Sequence, residues 1–157
     1  MNQLRRHEDY MHRAIELGMR VRQLPFGAVI VEGHTGEIVA EGWNRSAENP
    51  LWHGEIDSIN SLVHTRPGFD GGNLLLYTTA EPCPMCQSAI LWAGIGTVIF
   101  GSSIGFLQSR GWWQIDIPAE EIIRRTPFRH CKLIGGILEA ECNALFQNPP
   151  PQFALQE

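Results

Sequence analysis

The sequence predicts an α/β protein, a three-layer α/β/α sandwich built on a five-stranded mixed β-sheet. Three observations predict this fold: helical patterns alternate with short apolar runs, two of the runs form a hairpin, and the later runs are apolar enough for strands buried on both faces. At 157 residues, with 43% hydrophobic and 18% charged residues, the chain can bury the core of one domain. We therefore predict a single domain over 1–157.

Each element in the first half of the chain has its own signal. Apolar residues up to Val21 recur at helical spacing. Two β-rich runs flank Gly33-His34-Thr35-Gly36, which favours a hairpin because glycine adopts the positive φ values of a tight turn. Arg66-Pro67-Gly68 ends the next helical segment. The predicted elements are a helix before Pro25, strands over 26–32 and 37–43, a polar loop over 44–50 and a helix over 53–64.

Buried strands and helices continue to alternate in the second half. Pro84 suits the first turn of a helix, whereas the three consecutive prolines near the C-terminus cannot continue one. The predicted elements are a strand over 73–79, a helix from Pro84 to about Ala93, a strand over 97–100, an irregular stretch through Trp113, a helix over 118–125, a strand over 130–134 and a last helix over 137–146.

Charge and hydropathy limit the partners and the compartment. The chain has 12 Lys+Arg against 17 Asp+Glu, and the basic residues are scattered, so a small substrate is favoured over a polynucleotide. The N-terminus lacks the apolar core of a signal peptide, and the longest apolar stretch, 89–100, is shorter than the ~20 residues of a membrane span. We therefore expect a cytoplasmic protein, without contact to a membrane, whose four cysteines do not form a disulfide framework.

Two short motifs carry the chemistry, His53-Gly54-Glu55 and Pro82-Cys83-Pro84-Met85-Cys86. One imidazole and two thiolates can occupy three of the four tetrahedral positions of Zn²⁺ and leave the fourth for water. An open position is typical of catalytic zinc, which lowers the pKa of its bound water towards ~7. Glu55 can approach that water and move protons without binding the metal. The predicted zinc ligands are His53, Cys83 and Cys86, and Glu55 is the predicted catalytic residue.

Other interpretations of the cysteines are open from the residues alone. The Cys-x-x-Cys pair could be the redox centre of a thiol oxidoreductase, or part of a closed structural zinc site completed by Cys131 and Cys142. Either would leave His53 and Glu55 without a role. A catalytically silent, zinc-stabilised binding module is a further alternative, and the presence of Glu55 argues against it.

The two motifs stand some thirty residues apart, in the order of the zinc-deaminase pattern H-x-E…P-C-x-x-C. The chain resembles the cytidine deaminase superfamily, within its branch of guanine, cytosine and tRNA adenosine deaminases, from the first helix to about Phe146. The matching segments are Pro25-Phe26-Gly27-Ala28-Val29, Asn44, His53-Gly54-Glu55, Tyr77-Thr78-Thr79 and Glu81-Pro82-Cys83-Pro84-Met85-Cys86. The resemblance implies a hydrolytic deaminase that releases ammonia from an amino-substituted ring, with Glu55 as its proton shuttle.

Within that branch the chain looks most similar to the guanine deaminases. The resemblance implies that Asn44 and the backbone of Gly54 hydrogen-bond the substrate ring, and that Trp92 forms an aromatic wall for a purine. From the residues alone, Asn44 could instead be a turn residue and Trp92 a core residue. Phe26 is a further candidate for the pocket, with the core as its alternative, and Gln108 could hydrogen-bond an amide-like ring edge. We expect a guanine-type purine base or nucleoside as substrate. A cytosine-type pyrimidine or an amino-triazine is the alternative, and the charge disfavours tRNA.

Three features depart from the family pattern. Leu107-Gln108 stands where guanine deaminases have an acidic pair, and a neutral amide cannot do the proton work of a carboxylate. Asp116 and Glu120 are candidate replacements. Glycine stands at the centre of the H-x-E motif, as in fungal-type cytosine deaminases. Trp52 stands where a small residue is usual, and its bulk could narrow the mouth of the pocket.

The resemblance also implies a homodimer, in which the segment after about residue 110 is extended or exchanged between subunits. Two tryptophans of that segment, Trp112 and Trp113, could line the pocket, cover it as a lid or lie at the subunit interface.

Overall fold

Eleven main helices and strands make up the parts of the chain that the computed structural model describes, residues 3–128 and 130–150. The predicted proline-rich tail lies largely beyond residue 150 and so outside the described residues. The elements are α1 (Gln3–Gly18), β1 (Gly27–Glu32), β2 (Ile38–Trp43), α2 (Gly54–Thr65), β3 (Leu74–Ala80), α3 (Pro84–Trp92), β4 (Thr97–Ser102), α4 (Ile104–Ser109), α5 (Ala119–Arg125), β5 (Lys132–Ile134) and α6 (Glu139–Leu145).

The five strands form one mixed sheet in the order β2-β1-β3-β4-β5, which confirms the predicted sheet. The predicted hairpin is also present, because β1 pairs antiparallel with β2. Strand β1 is antiparallel to β3 as well, whereas β3, β4 and β5 run parallel to one another. Ala28 marks the register at the centre of the sheet, since it pairs with Gly42 on one side and with Thr78 on the other.

Helices cover both faces of the sheet, and alternate residues of each strand point to opposite faces. The core under α1 and α6 is formed by Met11, Leu17, Val29, Tyr77, Ile99 and Cys142. The core under α2, α3 and α5 is formed by Ile30, Leu62, Leu76, Ile90 and Val98, with Ile122 at its margin. These two apolar layers confirm the three-layer sandwich. Each helix among the described residues is too short or too polar to cross a membrane.

One element departs from the prediction. Residues 104–109 form the short helix α4, where the sequence predicts an irregular stretch. The Ser103 hydroxyl caps this helix by accepting a hydrogen bond from the backbone N–H of Phe106 at 3.0 Å. A six-residue helix has too few turns to show an apolar period, so its sequence signal is weak.

The topology brings several strand ends to one edge of the sheet. Strands β2 and β3 run in the same direction because each is antiparallel to β1, and β4 is parallel to β3. The residues that follow these strands therefore converge, with Asn44 after β2 and Cys83 after β3. In open α/β sheets, ligands bind at the carboxyl ends of the strands.

Candidate active site

The N-termini of two helices bring the three predicted metal ligands together. His53 immediately precedes α2, Cys83 immediately precedes α3, and Cys86 lies in the first turn of α3. The His53 Nδ1 atom is 3.6 Å from the Sγ atom of each cysteine, and the three donor atoms lie within 4.8 Å of one another. Tetrahedral Zn²⁺, with bonds of about 2.05 Å to nitrogen and 2.3 Å to sulfur, separates the two by about 3.6 Å. The donor set therefore fits zinc.

In the protein without a metal ion, hydrogen bonds shift the pKa values of the two thiol groups in opposite directions. Hydrogen bonds from Cys86 and His53 lower the pKa of Cys83 to about 4. The pKa of Cys86 is raised, because its thiol is hydrogen-bonded to Cys83, is buried and lies near the negative charges of Glu55 and Cys83. The hydrogen bond to Cys83 also raises the pKa of His53. A divalent cation bound by these donors would displace the protons of the thiol groups.

Glu55 is a buried acidic side chain beside this donor set. It is 4% exposed, and its Oε1 accepts a hydrogen bond from the Thr78 hydroxyl at 3.1 Å. Burial, together with the negative charge of Cys83, raises the pKa of the Glu55 carboxyl. A carboxyl group whose pKa is raised in this way can both accept and donate a proton during a reaction.

A pocket of about 320 Å³ opens beside His53 and Glu55, at the lower end of the range for small-molecule sites. Its apolar walls are Leu24, Phe26, Pro50, Trp112 and Trp113. Its uncharged polar walls are Asn44, Ser46 and Gln114. Among the described residues, no lysine or arginine lines the pocket, so the charged groups found there are carboxylates and the metal ligands.

The two tryptophans of the C-terminal third both line this pocket, so the first of the three possibilities predicted for them applies in this chain. Trp112 is 3% exposed, its indole N–H donates to the carbonyl of Phe146 at 2.8 Å, and its ring meets Phe26 edge to face. Trp113 is 48% exposed and lies at the mouth.

Asn44 and Phe26 both line the pocket. The Asn44 Oδ1 accepts hydrogen bonds from the backbone N–H and the hydroxyl of Ser46, at 3.1 and 2.7 Å. Its Nδ2 is therefore the group that can donate to a ligand. Gly54 packs directly against Phe26, and a Cβ atom there would lie 2.6 Å from the Phe26 carbonyl oxygen. Glycine in the H-x-E motif is thus required by local packing.

The structure does not bring Trp92 or Gln108 to the pocket, and these two predictions are corrected. Trp92 ends α3 and is 77% exposed, with its ring packed on Phe128 at a centroid distance of 4.6 Å. Six residues of helix carry it about 9 Å along α3 from Cys86. Gln108 lies on the outer side of α4, where its Nε2 donates to Asp116 at 3.2 Å.

Gln114 is one of several pocket residues to which the sequence analysis assigned no role. The chain contains the pattern glycine–aromatic–x–glutamine twice, as Gly105-Phe106-Leu107-Gln108 and as Gly111-Trp112-Trp113-Gln114. The first copy lies in α4, and the second copy reaches the pocket. The repetition six residues later is the signal that could have identified Gln114. Neither Asp116 nor Glu120, the candidate replacements for the acidic pair, is part of the pocket lining.

Two further possibilities raised by the sequence are not realised around the site. Trp52 does not line the pocket, because its ring lies under the Arg45 guanidinium, 4.9 Å from centroid to Cζ. Cys131 and Cys142 are buried and unpaired, and the group of possible metal ligands found among the described residues does not include them. The closed four-cysteine site is therefore not formed.

Comparison with known proteins agrees with this geometry. A family model described as the cytidine and deoxycytidylate deaminase zinc-binding region matches residues 4–102. A guanine deaminase of Bacillus subtilis is 36% identical over 134 residues, which cover 78% of this chain and 83% of the relative. A tRNA-specific adenosine deaminase of Haemophilus influenzae is 31% identical over 144 residues, 87% of this chain and 78% of the relative. The solved structure of a guanine deaminase from Nitrosomonas europaea has the same fold, with a TM-score of 0.75 at 22% identity over 89% of this chain and 82% of that one.

Proposed function

The chain belongs to the cytidine and deoxycytidylate deaminase family, and from this premise we propose that it deaminates a free nucleobase or nucleoside, with a guanine-type purine as its substrate. The observation that carries the proposal is the buried Glu55 beside a His-Cys-Cys donor set at one end of a nucleobase-sized pocket. The identity to a guanine deaminase favours a purine. Because tRNA-specific adenosine deaminases are also similar to this chain, the identity of the substrate ring is part of the proposal.

The reaction replaces the amino group of a ring carbon by oxygen, so that one water is consumed and one ammonia is released. Zinc held by His53, Cys83 and Cys86 would supply a water whose pKa is lowered towards about 7. Glu55 would accept one proton of that water and pass it to the ring nitrogen. It would then pass the second proton, from the hydroxyl on the ring carbon, to the leaving amine. The hydrogen bond from the Thr78 hydroxyl to Oε1 orients the Glu55 carboxyl for this transfer.

The pocket walls suit the flat ring of a base. The rings of Phe26 and Trp112 offer apolar contact, and the Asn44 amide nitrogen can donate to a carbonyl or a ring nitrogen. Gln114 offers both a donor and an acceptor, which complement the N–H and C=O of an amide-like ring edge such as that of guanine. Gln114 therefore takes the role that the sequence suggests for Gln108.

The charges at the pocket favour a substrate without phosphate. Glu55 and Glu81 lie in the lining, and no lysine or arginine of the described residues does. Proteins that bind nucleic acids gain much of their affinity from contacts of lysine and arginine with the phosphates. A free base or nucleoside is thus preferred to a nucleotide or a tRNA. A cytosine-type pyrimidine or an amino-triazine is the second candidate, favoured by the neutral Gln114, which adds no carboxylate beside the ring.

Ammonia release by the zinc-loaded protein tests the proposal. The panel contains guanine, guanosine, GMP, cytosine, cytidine, adenine, adenosine, amino-triazines and a tRNA anticodon stem-loop. We expect release from guanine or its nucleoside, and a loss of kcat of about 10²–10⁴-fold in Glu55→Gln at unchanged zinc content. Release from another ring alone would replace guanine as the substrate. A fully zinc-loaded protein that releases ammonia from no ring would favour the silent binding module.

The proposed assembly is a homodimer in the cytoplasm, with the segment after about residue 110 exchanged between subunits. Exchange would keep both ring contacts of Trp112. Its contact with Phe146 would stay within one chain, and its contact with Phe26 would be made between chains. The four unpaired cysteines suit a reducing compartment.

A further inference from the structure

One buried carboxylate holds the chain on both sides of Asn44. Asp57 lies in the first turn of α2 and is 8% exposed. Its Oδ2 accepts a hydrogen bond from the backbone N–H of Trp43 at 3.2 Å, and its Oδ1 accepts one from the Arg45 guanidinium at 3.1 Å. Both neighbours of Asn44 are therefore tied to the same helix that begins after His53.

The Arg45 guanidinium also organises the loop from Asn44 to α2. It lies over the ring of Trp52 at 4.9 Å, and it pairs with the exposed Glu48 at 2.6 Å. The backbone N–H of Arg45 donates to the carbonyl of Trp52 at 2.8 Å, which closes the loop. Trp52 thus serves as a platform for the cation next to His53, which accounts for a bulky residue at this position.

We propose that Asp57, acting through Arg45 and the backbone of Trp43, is a positioning residue that holds the Asn44 amide in place for the substrate ring. This inference rests on the proposed function, because there Asn44 binds the substrate. Asn44 Oδ1 is held by Ser46, so the direction of its Nδ2 follows the position of the backbone. A displacement of about 1 Å at a positioning group can cost about 10²-fold in rate.

The two carboxylate partners of Arg45 differ in how much they restrain the loop. Glu48 is mostly exposed, and an exposed ion pair contributes little because solvent screens it. Asp57 is buried and accepts from two donors, so its removal leaves both the Trp43 N–H and the Arg45 guanidinium without this acceptor. The proposal therefore assigns the positioning effect to Asp57, and Glu48 provides a matched control.

Asp57→Asn tests the proposal with little change of volume. We expect kcat/KM for the best substrate to fall about tenfold, mainly through KM, at unchanged zinc content. Glu48→Gln should leave KM unchanged. Because Asp57 acts through Asn44, the loss should nearly vanish when Asp57→Asn is made in an Asn44→Ala protein. Arg45→Ala should raise KM as well, and Arg45→Lys should restore part of the loss. These two variants test the proposal if Asp57→Asn folds poorly.

Hydrogen exchange of the zinc-loaded protein provides a readout without turnover. We expect the hydrogen-bonded amides of Arg45 and Trp52 to exchange faster in Asp57→Asn, or in Arg45→Ala, than in the wild type, with the amides of α3 unchanged. Unchanged exchange in the loop would overturn the positioning role, whether or not any ring is deaminated. If Asp57→Asn lowers kcat/KM in the Asn44→Ala protein as much as in the wild type, the positioning role would also be overturned. The proposed deaminase function would be unaffected by that result. A wild type that deaminates no ring, with the loop exchange as expected, would contradict only the proposed function.

Discussion

Two glutamines with the same local sequence have different surroundings, and this difference allows a controlled experiment. Gln108 donates to Asp116 on the surface of α4, whereas Gln114 lines the pocket. We expect Gln114→Ala to lower kcat/KM for the preferred ring about tenfold, because one hydrogen bond to the ring contributes about 1–1.5 kcal/mol. Gln108→Ala should leave kcat/KM unchanged. Steady-state kinetics of the two variants decide the assignment, and an equal loss in both would contradict it.

The residues that could be predicted from the sequence are those in short motifs with a fixed geometry. His53, Cys83 and Cys86 stand at helix starts, where neighbouring residues determine where their side chains lie. Trp92 and Gln108 were predicted from spacing along a family pattern, which does not specify the face of the helix. Gln114 lies outside regular secondary structure, so only the folded chain reveals that it reaches the pocket.

At the scale of whole elements, the carboxylate of Glu81 connects two helices to the metal centre. Its Oε2 accepts from the backbone N–H of Ile104, the first residue of α4, and its Oε1 accepts from that of Ala119, the first residue of α5, each at 2.9 Å. Residues 112–114 of the pocket wall lie between these helices. Glu81 thus differs from Glu55, since both of its oxygens are engaged by helix N-termini.

Replacement of Glu81 by glutamine should therefore loosen this arrangement. We expect Glu81→Gln to lower the free energy of unfolding by about 1–3 kcal/mol, because an amide offers one acceptor where the carboxylate offers two charged ones. The kcat/KM value should fall with it, since the wall at 112–114 depends on both helices. Glu120→Gln, at the exposed second residue of α5, should cost less than about 1 kcal/mol. Urea unfolding of both variants gives the comparison. Equal losses of unfolding free energy would mean that the hydrogen bonds of Glu81 to the two helix N-termini are unimportant.

The elements that the sequence did not predict are the short ones. Helix α4 spans 104–109 and includes Gly105, so helix propensity and apolar periodicity are both weak there. It forms because Ser103 and Glu81 satisfy the backbone N–H groups of its first turn. Contacts made by residues distant in the chain, such as Glu81, cannot be deduced from the local pattern.

The order of elements over the whole molecule was predictable because the central strands β1, β3 and β4 are largely apolar runs. The hairpin turn around Gly36, which has a φ of 75°, set the direction of the first two strands. The alternation of helices and strands then favoured helices on both faces of the sheet. How two copies of the chain meet is a different matter, since an interface leaves no period in the sequence.

The surface of the folded chain offers one aromatic pair for such an interface. Trp92 and Phe128 are in edge-to-face contact and are both exposed, at the groove between α3 and α5. A tryptophan with three quarters of its surface in water is unusual for a folded domain, and aromatic residues are enriched at interfaces between subunits. We expect a second copy of the chain to cover this pair in the proposed homodimer.

Sedimentation velocity of the zinc-loaded protein tests this expectation. The wild type should sediment with twice the mass of one chain, and Trp92→Glu should shift it to the monomer, because an interface would bury the introduced carboxylate. Val63→Glu is the control, since Val63 is also an exposed apolar residue but lies on α2. A wild type that is monomeric at working concentration would exclude the dimer. A dimer that persists in Trp92→Glu would place the interface on another face, and the exchanged segment after about residue 110 would then be the next region to alter.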